Sequence, residues 1–288
     1  MSDIKFSVVI PLYNKEQSIV NTVLSVLKQS YQNFEIVIIN DGSTDGSVDA
    51  VKTINDERIR LIHQDNQGVS AARNRGVKEA SYEWIAFLDG DDLWETNHLE
   101  EIINMMDIFP NEKVYVTSFE YSDKRKMYKH KRNNSIFKIK NYFKEAIKEN
   151  LIWTSIIVIN KSCFNVSGFF NINLIRGEDL DLWARLAKNY NIIKSVTITA
   201  TYRIDAENRT SLSKDLKRTH IYYLNIGNAN DVYELEYYKN MLFYRLISYL
   251  SCFNFLCFFV LLKRYQDISL IEFLIFVYST YKKKFKLF

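Results

Sequence analysis

Three carboxylates stand within four residues: Asp89, Asp91 and Asp92, with Gly90 after the first. They follow directly on the apolar run Trp84 to Leu88, which reads as a buried strand. Gathered at a strand end they repel one another, so stability alone gives no reason for them. A hard divalent cation, Mn²⁺ or Mg²⁺, removes that repulsion and prefers carboxylate oxygens together with ligand phosphates. Leu93 and Trp94 follow and exclude an EF-hand loop. The chemistry indicated is cation-assisted binding of a diphosphate.

A second cluster, Asn40-Asp41-Gly42-Ser43-Thr44-Asp45-Gly46, follows another apolar run. A carboxylate beyond the carboxyl end of a parallel strand can accept hydrogen bonds from a nucleobase or ribose. As a calcium loop the cluster fails, because Lys52 stands where the twelfth position needs Glu. The phosphate-loop patterns G-x-x-x-x-G-K-[ST] and G-x-G-x-x-G are absent. A plain turn and helix cap would use the same residues. The third cluster is Gly177-Glu178-Asp179-Leu180-Asp181. Acidic residues in a helix's first turn are favoured by the helix dipole. Alternatively one of them is a general base whose pKa a neighbouring charge sets.

These clusters need elements to hold them. Phe6–Leu12, Phe34–Ile39, Ile59–His63 and Trp84–Leu88 are short apolar runs that predict strands. Between them, 16–27, 47–54 and 68–80 predict helices, and 93–106 predicts another. Strands alternating with helices predict a parallel sheet covered on both faces, occupying about residues 4–107. Beyond it, 113–121, 153–159 and 192–202 predict strands, and 141–150 and 177–190 helices. A boundary falls near residue 215, giving domains 1–215 and 216–288.

The chain has 288 residues, 47% apolar and 25% charged, which excludes disordered, collagen-like and disulfide-stapled classes. The three cysteines are scattered and suit a reducing, cytoplasmic setting. The first residues form a strand rather than a secretory signal. Residues 124–140 carry eight basic and no acidic side chains, either a solvated loop or a patch for an anionic partner. Few aromatics interleave there, which argues against nucleic acid. Of 42 aromatic residues, 19 lie in 220–288. The uncharged stretch 246–262 contains polar residues and is at the lower edge of spanning length. A second apolar run, 268–281, ends in a lysine cluster. This end suits a segment lying on an anionic membrane face, two helices packed on the main domain, or an oligomer interface.

Five motifs occur in order: Pro11-Leu12-Tyr13-Asn14-Lys15-Glu16, Asn40-Asp41-Gly42-Ser43-Thr44-Asp45, Asn66-Gln67-Gly68 leading to Arg73-Asn74, Phe87-Leu88-Asp89-Gly90-Asp91-Asp92, and Gly168-Phe169 leading to Gly177-Glu178-Asp179. Over about residues 5–215 the chain resembles family 2 glycosyltransferases of the GT-A fold. The resemblance implies an α/β Rossmann-like sheet, mostly parallel and flanked by helices, followed here by a helical, aromatic-rich extension. It implies an inverting transferase that takes a sugar from a nucleotide-sugar donor, with Asp41 pointing to UDP. The acceptor would be a hydroxyl of a glycan or lipid-linked substrate in surface polysaccharide assembly, such as lipopolysaccharide or capsule.

In this reading Pro11, Tyr13, Glu16 and Asp41 hold the nucleoside, and Arg73 borders the donor diphosphate or sugar. Asp89-Gly90-Asp91 is similar to the D-x-D motif, with Asp89 and Asp91 toward Mn²⁺ or Mg²⁺. Asp179 matches the catalytic base, supported by Glu178, while Trp183 and Arg185 brace that helix. Tyr202-Arg203 and the stretch 208–213 are similar to a family segment that can close over the diphosphate, with looser spacing and no His. The expected location is cytoplasmic, peripheral at the inner face of the membrane. Two alternatives from other classes are a metal-dependent nucleotidyltransferase and a non-catalytic membrane adaptor. The first lacks a Gly-rich basic loop after the first strand, and the complete carboxylate set weighs against the second.

Overall fold

The structure is a computed structural model and describes residues 4–129, 131–208 and 215–285, with side chains up to residue 280. The part of the 208–213 segment beyond 208, and the side chains of the lysine cluster at 282–286, lie outside the described residues. The chain forms two compact units, Met1–Leu212 and Ser213–Phe288.

In the first unit the apolar runs become β1 (Phe6–Leu12), α1 (Ile19–Leu27), β2 (Phe34–Asp41), α2 (Ser47–Lys52), β3 (Ile59–Gln64), α3 (Val69–Glu79) and β4 (Trp84–Phe87). Then follow β5 (Leu93–Trp94), α4 (His98–Ile108), β6 (Val114–Tyr121), β7 (Ile136–Lys138), α5 (Tyr142–Ala146), β8 (Ile157–Asn160), α6 (Cys163–Ser167), α7 (Glu178–Asn189) and β9 (Ile192–Tyr202). The second unit contains α8 (Val232–Ser251), α9 (Phe255–Arg264) and α10 (Leu270–Phe285).

The nine strands form one sheet in the order β3-β2-β1-β4-β8-β6-β9-β5, with β7 also on β9. Strands β3, β2, β1 and β4 are mutually parallel. β8 runs antiparallel between β4 and β6, and β6 and β9 are parallel. All eight residues of β2 are buried, as a strand covered on both faces requires. Val37 and Ile39 pack with Ala72 of α3. Because β1, β2 and β4 are parallel, their carboxyl ends share one edge. The loops after Leu12, Asp41 and Phe87 therefore meet there, at the place open α/β sheets bind ligands.

Three elements differ from the sequence expectation. Leu93 and Trp94 are not the start of a helix; they pair antiparallel with Thr201 and Ala200 of β9. The Trp94 indole donates to the Ser155 carbonyl at 2.6 Å and stacks on His98 at 4.0 Å, so burial of one side chain overrides helical spacing. The run from Trp153 enters its strand only at Ile157, after a 3₁₀ turn over Thr154–Ile156. The 141–150 helix shortens to Tyr142–Ala146, capped by Asn141 accepting from the Lys144 amide at 2.9 Å.

Candidate functional site

The first two loops are tied together by polar side chains. Asn14 takes a left-handed φ of 50° and its Oδ1 accepts from the Thr44 amide at 2.8 Å. The Lys15 amide donates to Ser47 Oγ at 2.7 Å, and the Gly46 amide to Glu16 Oε2 at 3.1 Å. This double-loop cradle sets Pro11, Tyr13 and Glu16 beside the segment that follows Asp41. Tyr13 is 39% exposed, so its ring is open to a planar ligand.

Asp41 is buried, and three protein donors meet its carboxylate. Gln64 Nε2 and the Gln67 amide donate to Oδ1 at 2.8 and 2.9 Å, and the Gly68 amide to Oδ2 at 2.8 Å. A carboxylate has about four acceptor sites, so one is left for a nucleoside donor. Asp41 thus also shapes the turn that opens α3. Asp41→Asn would place an NH₂ against one of these N–H groups. It is expected to cost about 1–3 kcal/mol of stability, measured by urea unfolding, alongside any loss of ligand binding.

At the end of β4 the carboxylates take three different partners. Asp92 is fully buried and accepts from Ser155 Oγ at 2.5 Å and from the Arg203 amide at 3.1 Å. Burial, then the charges of Asp89 and Asp91, push its carboxyl well above the ordinary range. Asp91 accepts from Lys15 Nζ at 2.7 Å. The same ammonium donates to the Glu207 carbonyl at 2.5 Å. Asp89 accepts from Arg73 NH2 at 2.6 Å. Gly90 is required by close approach: a Cβ there would stand 2.9 Å from the Pro11 carbonyl.

The third cluster lies at the other end of Arg73. This guanidinium is buried, donates from NH1 to Glu178 Oε1 at 2.9 Å, and packs over the Phe170 ring at 5.2 Å. One cation thus joins the D-x-D loop to the Glu-Asp pair, residues far apart in sequence. Gly177 is the N-cap of α7 with a left-handed φ of 76°, which turns the chain into the helix. The Asp179 carboxylate accepts from the Leu180 amide at 2.8 Å. Dense surroundings, then the Glu178 charge, raise its pKa to about 7, while Arg73 opposes the rise. By accessible area Asp179 is only half-buried, so an acceptor can still reach it. Arg185 bonds Asp181 at 2.7 Å and the Phe169 carbonyl at 2.9 Å, bracing α7 against the preceding turn.

Two residues near these groups were not singled out by the sequence. Lys15 was visible only as part of a motif, and Glu207 not at all. The Glu207 carboxylate accepts from the Gln17 and Ser18 amides at 3.1 and 3.0 Å and from Ser18 Oγ at 2.5 Å. Asn208 Nδ2 donates to the Tyr13 carbonyl at 3.1 Å. Tyr121 meets Tyr202 edge to face, Trp153 tilts against Tyr202 with ring centres 4.5 Å apart, and the Trp153 indole donates to Asp92 at 3.3 Å. In the basic stretch, Lys124, Arg125, Arg132 and Lys138 are ion-paired with Glu120, Asp123, Glu145 and Glu112.

The donor set fits a divalent cation. Asp89 and Asp91 are carboxylate oxygen donors on one loop, the type a hard divalent cation takes, and Asp91 already faces a cation, Lys15 Nζ at 2.7 Å. Among the described residues no cluster of three or more His, Cys, Asp or Glu is placed to hold a metal alone. Ions of this type are commonly held by one or two carboxylates, with phosphate and water completing the shell.

Comparison with known proteins agrees with this geometry. The profile described as Glycosyl transferase family 2 matches residues 7–167. An Escherichia coli relative, UDP-Glc:alpha-D-GlcNAc-diphosphoundecaprenol beta-1,3-glucosyltransferase WfgD, is 34% identical over 227 residues, 76% of this chain and 85% of its own. An uncharacterized glycosyltransferase of Rickettsia bellii is 32% identical over 216 residues, 74% of this chain. This chain spans only 31% of the length of that relative. Among solved structures, S. aureus TarS 1-349 in complex with UDP-GlcNAc superposes with a TM-score of 0.62 at 22% identity, covering 73% of this chain and 60% of that 1-349 chain. The mannosyltransferase PcManGT from Pyrobaculum calidifontis, in complex with GDP-Man and Mn²⁺, gives 0.55 at 18% identity, covering 71% and 58%. At these identities the two structures establish a shared fold.

Proposed function

The chain belongs to glycosyltransferase family 2, and from that premise we propose that it moves a sugar from a UDP-sugar donor to a hydroxyl of a glycan or lipid-linked acceptor, with inversion at the anomeric carbon. The observation that carries this reading is the bridge Asp89–Arg73–Glu178. It holds the acidic loop suited to a diphosphate beside a carboxylate suited to be a base. The WfgD name, with a UDP-sugar and a diphosphoundecaprenol-linked acceptor, supports the donor and acceptor classes. The proposal extends to a place in surface polysaccharide assembly, with the enzyme peripheral at the inner face of the membrane.

Pro11, Tyr13, Glu16 and Asp41 hold the nucleoside. Asp91, with Asp89, would hold Mn²⁺ or Mg²⁺, which when bound supplies positive charge at the donor diphosphate. Lys15 leaves Asp91 and becomes available to the phosphates. Arg73 keeps the donor side and the base in fixed separation. Asp179 takes the proton from the acceptor hydroxyl, and no protein carboxylate is needed as a nucleophile. The contacts of Glu207 and Asn208 with residues 13–18 lie where a segment would keep water from the donor.

Purified protein is expected to melt higher with Mn²⁺ and UDP together than with either alone. At a hundredfold excess over Kd the stabilisation is about 2.7 kcal/mol. Asp91→Asn should lose the Mn²⁺-dependent part of that shift. An unchanged Mn²⁺ dependence in the variant would remove Asp91 from the cation site, and flat melting curves for all nucleotide sugars would sink the donor reading.

A further inference from the structure

The second unit carries a surface that nothing in the donor site explains. α8 packs on α9 and α10: Phe243 of α8 meets Phe273 and Phe276 of α10 at 5.5 and 5.2 Å, and Phe258 of α9 meets Phe273 at 6.3 Å. Phe258, Leu261 and Phe273 are buried by this packing. The opposite faces are apolar and exposed. Phe253, Leu256 and Phe259 at α9 are 78%, 77% and 63% exposed, and Ile271, Leu274 and Ile275 of α10 are 69%, 57% and 62% exposed. The spacing 271, 274, 275 sets the last three on one helix face. Six large apolar side chains more than half exposed on neighbouring helices are not the singly scattered kind that needs no explanation.

Charge identifies the occupant. Residues 253–288 hold six basic and two acidic side chains, a net +4 equal to that of the whole chain. One of the two acids, Glu272, is paired with Lys239 at 2.8 Å. The sequence run Lys282, Lys283, Lys284 follows the exposed face of α10. A second copy of this surface would bring like charges together. An anionic lipid headgroup layer instead complements them, while its acyl boundary accepts the apolar side chains. Among the described residues no helix is long and apolar enough to cross a membrane, so the helices would lie in the interface plane.

We propose that the outward faces of α9 and α10, with the lysines that follow, dock on an anionic lipid bilayer. This deepens the peripheral location proposed above and uses no feature of the donor site. The test is flotation of the full chain with phosphatidylcholine vesicles and with vesicles also containing phosphatidylglycerol. Binding is expected to the second kind and to weaken with salt. Replacing Lys282, Lys283 and Lys284 by Gln should weaken it on the order of 100-fold, from about fivefold per lysine. Leu256→Ser with Phe259→Ser should weaken it at least about tenfold, with folding verified by circular dichroism. No binding to anionic vesicles, or binding by both variants as tight as that of the wild type, overturns the proposal. So does a dimer in sedimentation velocity that the serine variant abolishes while vesicles capture nothing. Each of these failures leaves UDP binding by the first unit intact, so the two readings are separable.

Discussion

Asp179→Asn is expected to lower the transfer rate by roughly 10²–10⁴-fold, the range general-base catalysis supplies, while UDP affinity stays within a few-fold of wild type. The carboxylate must be ionised to accept a proton, and its pKa is raised to about 7 by its surroundings and by Glu178. The wild-type kcat/KM should therefore fall as pH drops below about 7, and the Asn variant should lack that limb. Stability should move the other way. A folded-state pKa above the ordinary 3.8 means that the stabilising contribution is present below about pH 4 and lost as pH rises through about 7. At pH 8 the native protein holds a disfavoured charge, which Asn removes. Because the group is half-open to solvent, the gain is about 1–2 kcal/mol in urea unfolding. Full activity in this variant would place the base elsewhere.

Arg73→Ala is expected to have the largest effect on the fold. It removes the buried cation shared by Asp89 and Glu178 and leaves both carboxylates, with Asp179, short of a counter-charge. Breaking a buried ion pair from one side costs about 3–5 kcal/mol. Arg73→Lys keeps the charge but has no planar fork to span two carboxylates, so it should fold better than Ala and still lose much of the activity. Since Arg73 lowers the Asp179 pKa, any residual activity of the Ala variant should show its acid limb at higher pH. Paired urea unfolding and pH–rate profiles check both statements. A limb that stays in place would uncouple Arg73 from Asp179.

The elements were legible where the periodic signal was long and local. β1, β2 and β4 follow from runs such as FSVVIPL and FEIVII, because a strand buried on both faces is mostly apolar. The expectation failed where one side chain's tertiary contact outweighed the pattern. Trp94 is a strand residue because its indole reaches the Ser155 carbonyl, and the turn at Thr154–Ile156 interrupts an apolar run that spacing alone reads as extended. The charge run at 124–140 was visible as composition, whereas its pairing with Glu112, Glu120, Asp123 and Glu145 required the folded chain.

By itself the sequence determined the family, the alternation of strands and helices, and the residue types able to do chemistry. Those properties rest on local spacing and side-chain identity. Only the tertiary structure decided which of those residues share a charge environment. Asp89 and Glu178 become neighbours through Arg73, and Asp91 meets Lys15, because parallel strands bring their carboxyl ends to one edge and a helix returns from far along the chain. Likewise, the sequence showed that the last helices are apolar, but only packing on α8 decided which of their faces is buried and which is left to another partner. Burial and ion pairing depend on distances between residues remote in sequence, and local spacing does not set those distances.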